Sequence, residues 1–129
     1  MTETTTRITQ IGTVGIPVAD HDKALEFYVR TLGFEVRLDG EFAPGQRWVE
    51  VAPAGAASTI ALAPAHPGSP AGVDTGIRLS TPNAEADHAH LLASGADVEA
   101  EIMRWGDGVP PMFTLRDPDG NTLYVVERA

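Results

Sequence analysis

The stretch Met112–Glu127, with the sequence MFTLRDPDGNTLYVVE, is the most informative part of the chain. Its first five and last six residues are rich in apolar and β-branched side chains, which is typical of strands. Between them, Asp117-Pro-Asp-Gly-Asn121 combines the residue types that form tight turns. The sequence therefore predicts a β-hairpin with strands over 112–116 and 122–127.

The residues before this hairpin predict a strand, a helix and a further strand. Val73–Ser80 alternates between two faces, as a half-buried strand does. Thr81 and the proline after it suit the start of a helix, and Gly95 suits its end. A strand is then expected over 97–103, followed by a loop over 105–111 that is rich in glycine and proline.

The first half of the chain predicts the same order of elements. Thr13–Val18 alternates like a strand, and a helix is expected between Asp20, as its N-cap, and Gly33, as its stop. Strands are predicted over 34–38, 47–52 and 58–63, with a loop over 40–45. The segment 64–72 contains three prolines and two glycines, which favours a linker.

The matching order indicates an internal duplication. Trp48 corresponds to Phe113 at an offset of 65 positions, and Ile60 corresponds to Leu123 at an offset of 63. We predict one α+β domain made of two tandem βαβββ modules, residues 8–63 and 73–127, joined by the linker 64–72. Curved mixed sheets would surround a concave cavity, with the helices on the outside.

Composition narrows the range of partners. The chain has 129 residues, a formal net charge of −9 and no cysteine. This length suits one compact domain. An acidic balance disfavours binding to nucleic acid or to anionic lipid. The lack of cysteine excludes disulfides and thiolate sites and suits a reducing compartment. We expect a cytoplasmic protein with neither nucleic-acid nor membrane partners.

Four motifs resemble those of a known family. They are Val18-Ala-Asp20, Lys23-Ala-Leu-Glu-Phe-Tyr28, Leu32-Gly-Phe-Glu35 and Phe113-Thr-Leu-Arg-Asp-Pro-Asp-Gly-Asn121. The chain from about Ile11 to Glu127 resembles the vicinal oxygen chelate superfamily, which comprises glyoxalases, bleomycin resistance proteins and dioxygenases. The resemblance implies paired βαβββ modules and a homodimer.

The resemblance also implies four strand positions at which family enzymes bind a divalent metal. Here these positions hold Thr13, Ala61, Asp74 and Tyr124. Only Asp74 is a good ligand for a divalent ion, and firm binding usually needs three or four protein ligands. We therefore expect no divalent metal at these positions and no other cofactor.

Strand alternation predicts which side chains face the cavity. If Val49 and Val51 face the helix, Trp48 and Glu50 face the opposite side. The same rule, applied through the repeat, predicts which side chains of the second module face the cavity. Trp105 is predicted to lie in a loop at the mouth of the second sheet. For the charged members the alternative is an internal ion pair or a hydrogen-bonded structural group, and for the aromatic members it is core packing. The predicted ligand-binding residues are Trp48, Glu50, Asp74, Arg78, Trp105, Phe113 and Tyr124.

Three functions fit this set. We expect a protein of the bleomycin-resistance type that sequesters a flat, aromatic, antibiotic-like ligand in the cavity between the modules, favouring one with a positive charge. The alternative is a lyase, isomerase or dioxygenase of the same superfamily, with a non-standard metal site or acid/base catalysis by Glu50 or Asp74. A structural or regulatory module without a ligand is the third. We expect a binding protein rather than an enzyme.

Overall fold

The described part of the chain, residues 5–128 of a computed structural model, contains two four-stranded sheets, each with one helix. The elements are β1 (Thr13–Val18), α1 (His21–Leu25) with a π-helical continuation (Glu26–Thr31), β2 (Glu35–Ala43), β3 (Gln46–Ala52), β4 (Thr59–Pro64), β5 (Asp74–Thr81), α2 (Ala84–Ala93), β6 (Asp97–Val98), β7 (Met112–Arg116) and β8 (Thr122–Glu127). None of the helices in this range has the length and apolar character needed to span a membrane.

The two sheets have the same topology. The strand orders are β1-β4-β3-β2 and β5-β8-β7-β6. The first and last strands of each module pair in parallel, and the remaining pairs are antiparallel. The predicted α+β fold of two tandem modules is confirmed.

The first helix begins where the sequence predicts. The carboxylate of Asp20 accepts hydrogen bonds from the backbone N–H groups of Asp22 and Lys23, at 2.9 and 3.2 Å, as an N-cap does. The helix then widens into a π-helical segment, where the N–H of Leu32 donates to the carbonyl of Phe27 at 3.0 Å. Both Phe27 and Tyr28, at the start of this segment, are buried.

The second helix begins two residues later than predicted. Asn83, not Thr81, is the N-cap, and its side chain accepts a hydrogen bond from the N–H of Ala86 at 3.0 Å. The hydroxyl of Thr81 instead accepts a hydrogen bond from the N–H of Asn83 at 3.2 Å. Thr81 still belongs to β5, because its backbone continues the pairing with β8.

Two predicted strands have different lengths in the structure. The loop predicted over 40–45 is wrong, because β2 continues to Ala43 and a short turn at Pro44 and Gly45 leads into β3. The strand predicted over 97–103 is also too long, since regular pairing ends at Val98 and only an isolated bridge at Met103 follows.

One hydrophobic core serves both modules. Helix-side residues of the two sheets, such as Val51 and Leu123, belong to the same buried cluster as Tyr28 and Leu91 of the helices. Each sheet therefore has one face on this common core and one face directed away from it. We call the second face of each sheet its concave face.

The predicted turn Asp117–Asn121 is confirmed, and it also joins the modules. The amide of Asn121 donates to the carbonyl of Pro17 at 2.8 Å, and the Tyr28 hydroxyl donates to the Asp117 carboxylate at 2.9 Å. Burial and the nearby Asp117 charge raise the pKa of Tyr28 above its usual value, so the phenol remains a donor. These contacts fix the end of β1 against the second module.

Candidate functional site

The concave face of the first sheet holds one connected polar network. Its centre is Glu50, whose two carboxylate oxygens accept hydrogen bonds from the indole N–H of Trp48 and the hydroxyl of Thr59, both at 2.7 Å. The Thr59 hydroxyl also lies 2.8 Å from that of Thr13. The bonds from Trp48 and Thr59 hold the pKa of Glu50 below its usual range. Glu50 is therefore ionised at neutral pH.

Apolar side chains extend this face along the β2–β3 hairpin. Leu38 pairs directly with Glu50 across the two strands, and Gly40 pairs with Trp48. The ring of Phe42 packs edge-on against the Trp48 indole, with centroids 6.2 Å apart and planes at 88°. Leu38 and Phe42 are 51% and 64% exposed. The hairpin thus presents an open aromatic surface beside the carboxylate.

Sequence reasoning missed this part of the site. The predicted strand ends at Leu38 and a loop over 40–45 follows it, so this prediction leaves Phe42 outside the alternating side chains of β2. The signal that could have found it is the pair Pro44-Gly45, because proline suits the second position of a β-turn and glycine the third, where Gly45 has a φ of 73°.

The concave face of the second sheet has a similar arrangement with different residues. The Tyr124 hydroxyl donates to the Asp74 carboxylate at 2.7 Å, and the N–H of Gly76 donates to the same carboxylate at 3.0 Å. These bonds, Tyr124 first, lower the pKa of Asp74, and the bond to Asp74 raises the pKa of Tyr124. Each concave face therefore pairs an ionised carboxylate with an aromatic donor.

Arg78 completes the second face. Its guanidinium carbon lies 4.4 Å from the centroid of the Tyr124 ring, and one of its N–H groups donates to the carbonyl of Gly76 at 2.8 Å. This is a cation–π contact. Of the two predicted alternatives, the internal Asp74–Arg78 ion pair is replaced by this stacking, and Arg78 remains exposed on the strand. The other alternative, a hydrogen-bonded structural group, describes Asp74.

Trp105 lies in the irregular segment between β6 and β7. Its side chain is 66% exposed, so it is not a core residue. The adjacent Arg104 reaches Glu85 of α2, with 3.7 Å between the guanidinium and the carboxylate. Trp105 therefore lies in a loop, as predicted, and the core-packing alternative does not hold for it, while its contact with a ligand stays a prediction.

The prediction that Phe113 faces the cavity is wrong. Its side chain is fully buried and packs edge-on against His88 of α2, with ring centroids 5.0 Å apart. The cause is an error of one position in the repeat. Strand pairing places Glu50 opposite Ala61 and Thr114 opposite Tyr124, so the correct offset on this strand is 64 rather than 65. A shift of one residue moves every side chain to the other face of a strand.

The four positions that bind metal in family enzymes do not fit a divalent ion here. The Ala61 side chain has no ligating atom. The Thr13 hydroxyl is hydrogen-bonded to that of Thr59, and the Tyr124 hydroxyl donates a hydrogen bond to Asp74. Between residues 5 and 128, no group of three or more His, Asp or Glu side chains is arranged to hold a metal ion. The donor set therefore supplies one carboxylate where three or four ligands are usual.

Within one chain, the two concave faces do not enclose a common cavity. Both sheets turn their helix sides to the same core, so the concave faces lie on the outside. A cleft of about 470 Å³ between the modules is bordered mainly by other residues, such as Val14, Ala57 and Leu79, but its lining also includes Thr59 and Arg78. Five of the predicted site residues form two groups, one on each sheet, whereas Trp105 lies in a loop and Phe113 in the core: the groups are Trp48 with Glu50, and Asp74 with Arg78 and Tyr124.

Comparison with known proteins places this fold in a family. A family model described as the Glyoxalase/Bleomycin resistance protein/Dioxygenase superfamily matches residues 10–125. The uncharacterized protein YetH of Bacillus subtilis is 29% identical over 123 residues, which cover 93% of this chain and 99% of YetH.

Two solved structures have nearly the same fold over nearly the whole chain. One is TnmS3, an antibiotic binding protein from Streptomyces sp. CB03234, with a TM-score of 0.83, 30% identity, and coverage of 96% of this chain and 99% of TnmS3. The other is a member of the same superfamily from Sphaerobacter thermophilus DSM 20745, with a TM-score of 0.82, 35% identity, and coverage of 94% and 98%. With its paired βαβββ modules and the match over residues 10–125, the chain belongs to the glyoxalase/bleomycin resistance protein/dioxygenase superfamily.

Proposed function

We propose that this protein binds a planar, aromatic, antibiotic-like compound on its concave faces and sequesters it without chemical change. The observation that supports this most directly is the fixed aromatic residue on each face. The indole N–H of Trp48 and the hydroxyl of Tyr124 are each held by a carboxylate at 2.7 Å. A rigid aromatic surface loses little entropy when a flat ligand stacks on it.

The charges on these faces define the chemistry of the ligand further. Asp74 is negative, and the whole chain has a formal charge of −9, which favours a ligand with a positively charged group. Arg78, stacked on Tyr124, keeps N–H donors at its edge that suit a carbonyl or phenolate oxygen. The similarity to TnmS3, an antibiotic binding protein, supports the same ligand class.

The carboxylates are poorly suited to the alternative, acid/base catalysis. A general acid at neutral pH needs a raised pKa, as burial in an apolar pocket would produce. The hydrogen bonds on Glu50 and Asp74 lower the pKa of both groups instead. Binding without chemistry is therefore the function we favour, in the cytoplasm as the sequence suggests.

We also propose that a second copy of the chain completes the site. The two concave faces lie on the outside of one chain; Leu38 and Phe42 are largely exposed on the first of them, and Trp105 is largely exposed in the loop before β7. In a homodimer, the first sheet of one protomer can face the second sheet of its partner, which would bring both groups of site residues around one ligand. Exposed apolar surface of this kind marks interaction sites.

The binding proposal is tested by titrating the protein with planar aromatic antibiotics while tryptophan fluorescence is measured. We expect a saturable change in emission, and we expect Trp105→Ala to weaken binding about tenfold without changing the unfolding midpoint. Val109→Ala, in the same exposed segment, is the matched control. Absence of saturable binding across neutral, cationic and phenolic compounds would refute the proposal.

The dimer is tested by light scattering and by mixing variants. A mass of 13.6 kDa at micromolar concentration would refute it. If the sites are shared, mixing Trp48→Ala with Arg78→Ala should restore about a quarter of the intact sites, because hybrid dimers hold one site with both residues. No recovery on mixing would show that each site belongs to one chain.

A further inference from the structure

Glu50 occupies the centre of a chain of hydrogen-bonded side chains that ends at an aromatic ring. One carboxylate oxygen accepts from the Trp48 indole at 2.7 Å and the other accepts from Thr59 at 2.7 Å. Thr59 lies in turn 2.8 Å from Thr13 on the neighbouring strand β1. Three adjacent strands thus contribute to holding one indole, since Trp48 and Glu50 are on β3, Thr59 on β4 and Thr13 on β1.

We propose that Glu50 is a positioning residue, which fixes the Trp48 indole as the surface on which the ligand stacks and does not itself contact the ligand. This inference rests on the proposed binding function and assigns Glu50 a role different from the ligand contact expected from the sequence. The Thr59 hydroxyl is the group that holds the carboxylate in place.

The geometry explains why the indole needs such a support. Trp48 is only half-buried, so packing alone does not restrain its two side-chain torsions. Its single donor is bonded to Glu50, and Phe42 meets it edge-on at 88°. These two contacts define both the direction and the plane of the ring. Binding sites gain affinity when their side chains are held in the bound geometry beforehand.

The competing role for Glu50 is a direct contact with a cationic ligand. The two roles can be distinguished by removing the negative charge of Glu50 while keeping the shape of its side chain. Glutamine has the same shape as glutamate and can accept from Trp48 through its oxygen while its amide donates to Thr59, whose hydroxyl can then donate to Thr13. Glu50→Gln therefore preserves the positioning and removes the charge, whereas Glu50→Ala removes both.

The experiment uses Trp105→Phe as the parent, so that Trp48 is the remaining tryptophan of the two in the chain. The first measurement is the fluorescence anisotropy of Trp48 in ligand-free protein. The second is the dissociation constant for two planar probes, acridine, which is neutral in slightly alkaline buffer, and 9-aminoacridine, which is a cation there. Glu41→Gln, on the exposed part of the hairpin, is the control for loss of one negative charge.

If Glu50 positions Trp48, Glu50→Gln retains the anisotropy, and its dissociation constants for both probes stay within about threefold of the parent, like those of Glu41→Gln. Glu50→Ala lowers the anisotropy and raises both constants about tenfold. Thr59→Val, which keeps the shape of the side chain and removes its hydrogen bond, has an intermediate effect and serves if Glu50→Ala fails to fold.

Two results would overturn the inference. One is a loss with Glu50→Gln as large as that with Glu50→Ala and confined to the cationic probe, which would show direct contact. The other is unchanged anisotropy in both Glu50→Ala and Thr59→Val. If the parent binds neither probe and the anisotropy still falls in these variants, the proposed function fails for this ligand class while the fixing of Trp48 by Glu50 stands.

Discussion

The turns that precede the last strand of each module occupy equivalent places in the repeat and have opposite roles. The turn Asp117–Asn121 is buried at Asp117 and Asn121 and bonds to the other module. The turn between β3 and β4, residues 53–58, is largely exposed; the Arg37 guanidinium bonds to the carbonyls of Pro53 and Ala56. The turn of the second module thus connects the two modules, whereas the turn of the first module borders the cleft between them.

The central hairpins differ in the same way. In the first module, β2 and β3 pair over a long hairpin, with register shifts near Arg37 and Phe42, that supports Phe42 and Trp48. In the second, β6 has two residues, and an irregular segment with Trp105 follows. The duplicated fold therefore offers one aromatic residue on a rigid strand and another on a loop. Rigid positions suit a fixed platform, and loops suit closure over a ligand.

The largest expected effect comes from Asn121→Ala. This change leaves the carbonyl of Pro17 and the N–H groups of Gly72 and Val73 without their side-chain partner. Buried unpaired groups cost about 1–3 kcal/mol each, so we expect a loss of about 3–5 kcal/mol in the free energy of unfolding. Urea denaturation measures it.

The matched change in the first module is Ser58→Ala, which removes one exposed hydrogen bond, to the carbonyl of Ile11. Its expected loss is below about 1.5 kcal/mol. Equal losses for Asn121→Ala and Ser58→Ala would show that the two turns do not differ as described.

A smaller difference in the free energy of unfolding is expected between substitutions of Tyr28 and His88, the buried polar rings of the two helices. Tyr28→Phe removes a buried hydrogen bond to the carboxylate of Asp117, in the other module, and should cost about 1.5–3 kcal/mol. His88→Phe removes a bond of 2.7 Å to the carbonyl of Glu99, within its own module, and should cost about 0.5–1.5 kcal/mol. The same denaturation experiment compares them, and the reverse order would contradict the cross-module role of Tyr28.

The smallest effect concerns the ion pairs of the first hairpin. Arg47 contacts the carboxylates of Asp39 and Asp22, each at 2.9 Å, and its hydrogen bond lowers the pKa of Asp39. Because these groups are exposed, Arg47→Ala should cost at most about 1 kcal/mol at neutral pH. For comparison, among the residues that the structure describes, Arg116 of the second module contacts one carboxylate, that of Asp97, at 3.5 Å.

The sign of the pH dependence follows from the direction of the Asp39 shift. A carboxylate with a lowered pKa in the folded state stabilises the protein above its unfolded pKa of about 4, and this contribution is lost as the pH falls through the lowered value. The difference in unfolding midpoint between Arg47→Ala and the unchanged protein should therefore shrink on going from neutral to acidic solution. A difference that grows in acid would refute this.

Much of the fold could be predicted because local signals and the repeat agree. Asp20 caps its helix and Asp117–Asn121 forms its turn through interactions between residues close in sequence. Register between strands is set by loops of unequal length, which sequence alone does not measure, and this is why Phe113 was assigned to the wrong face. The pairing of Glu50 with Trp48 could be expected from alternation on one strand, whereas its link to Thr59 depends on strand order.

The hydrogen bond between Asn121 and Pro17 has a consequence for the order of events during synthesis. Its partners are 104 positions apart, and the bond from Tyr28 to Asp117 spans 89. Contacts between residues far apart in sequence form slowly, because the entropy of closing a long loop is lost before the contact contributes any stabilising energy. During synthesis, the end of β1 and Tyr28 therefore remain without these partners until Asp117 and Asn121 have left the ribosome. A chain cut before Asp117 should be caught by chaperones or proteases instead of persisting as a folded half.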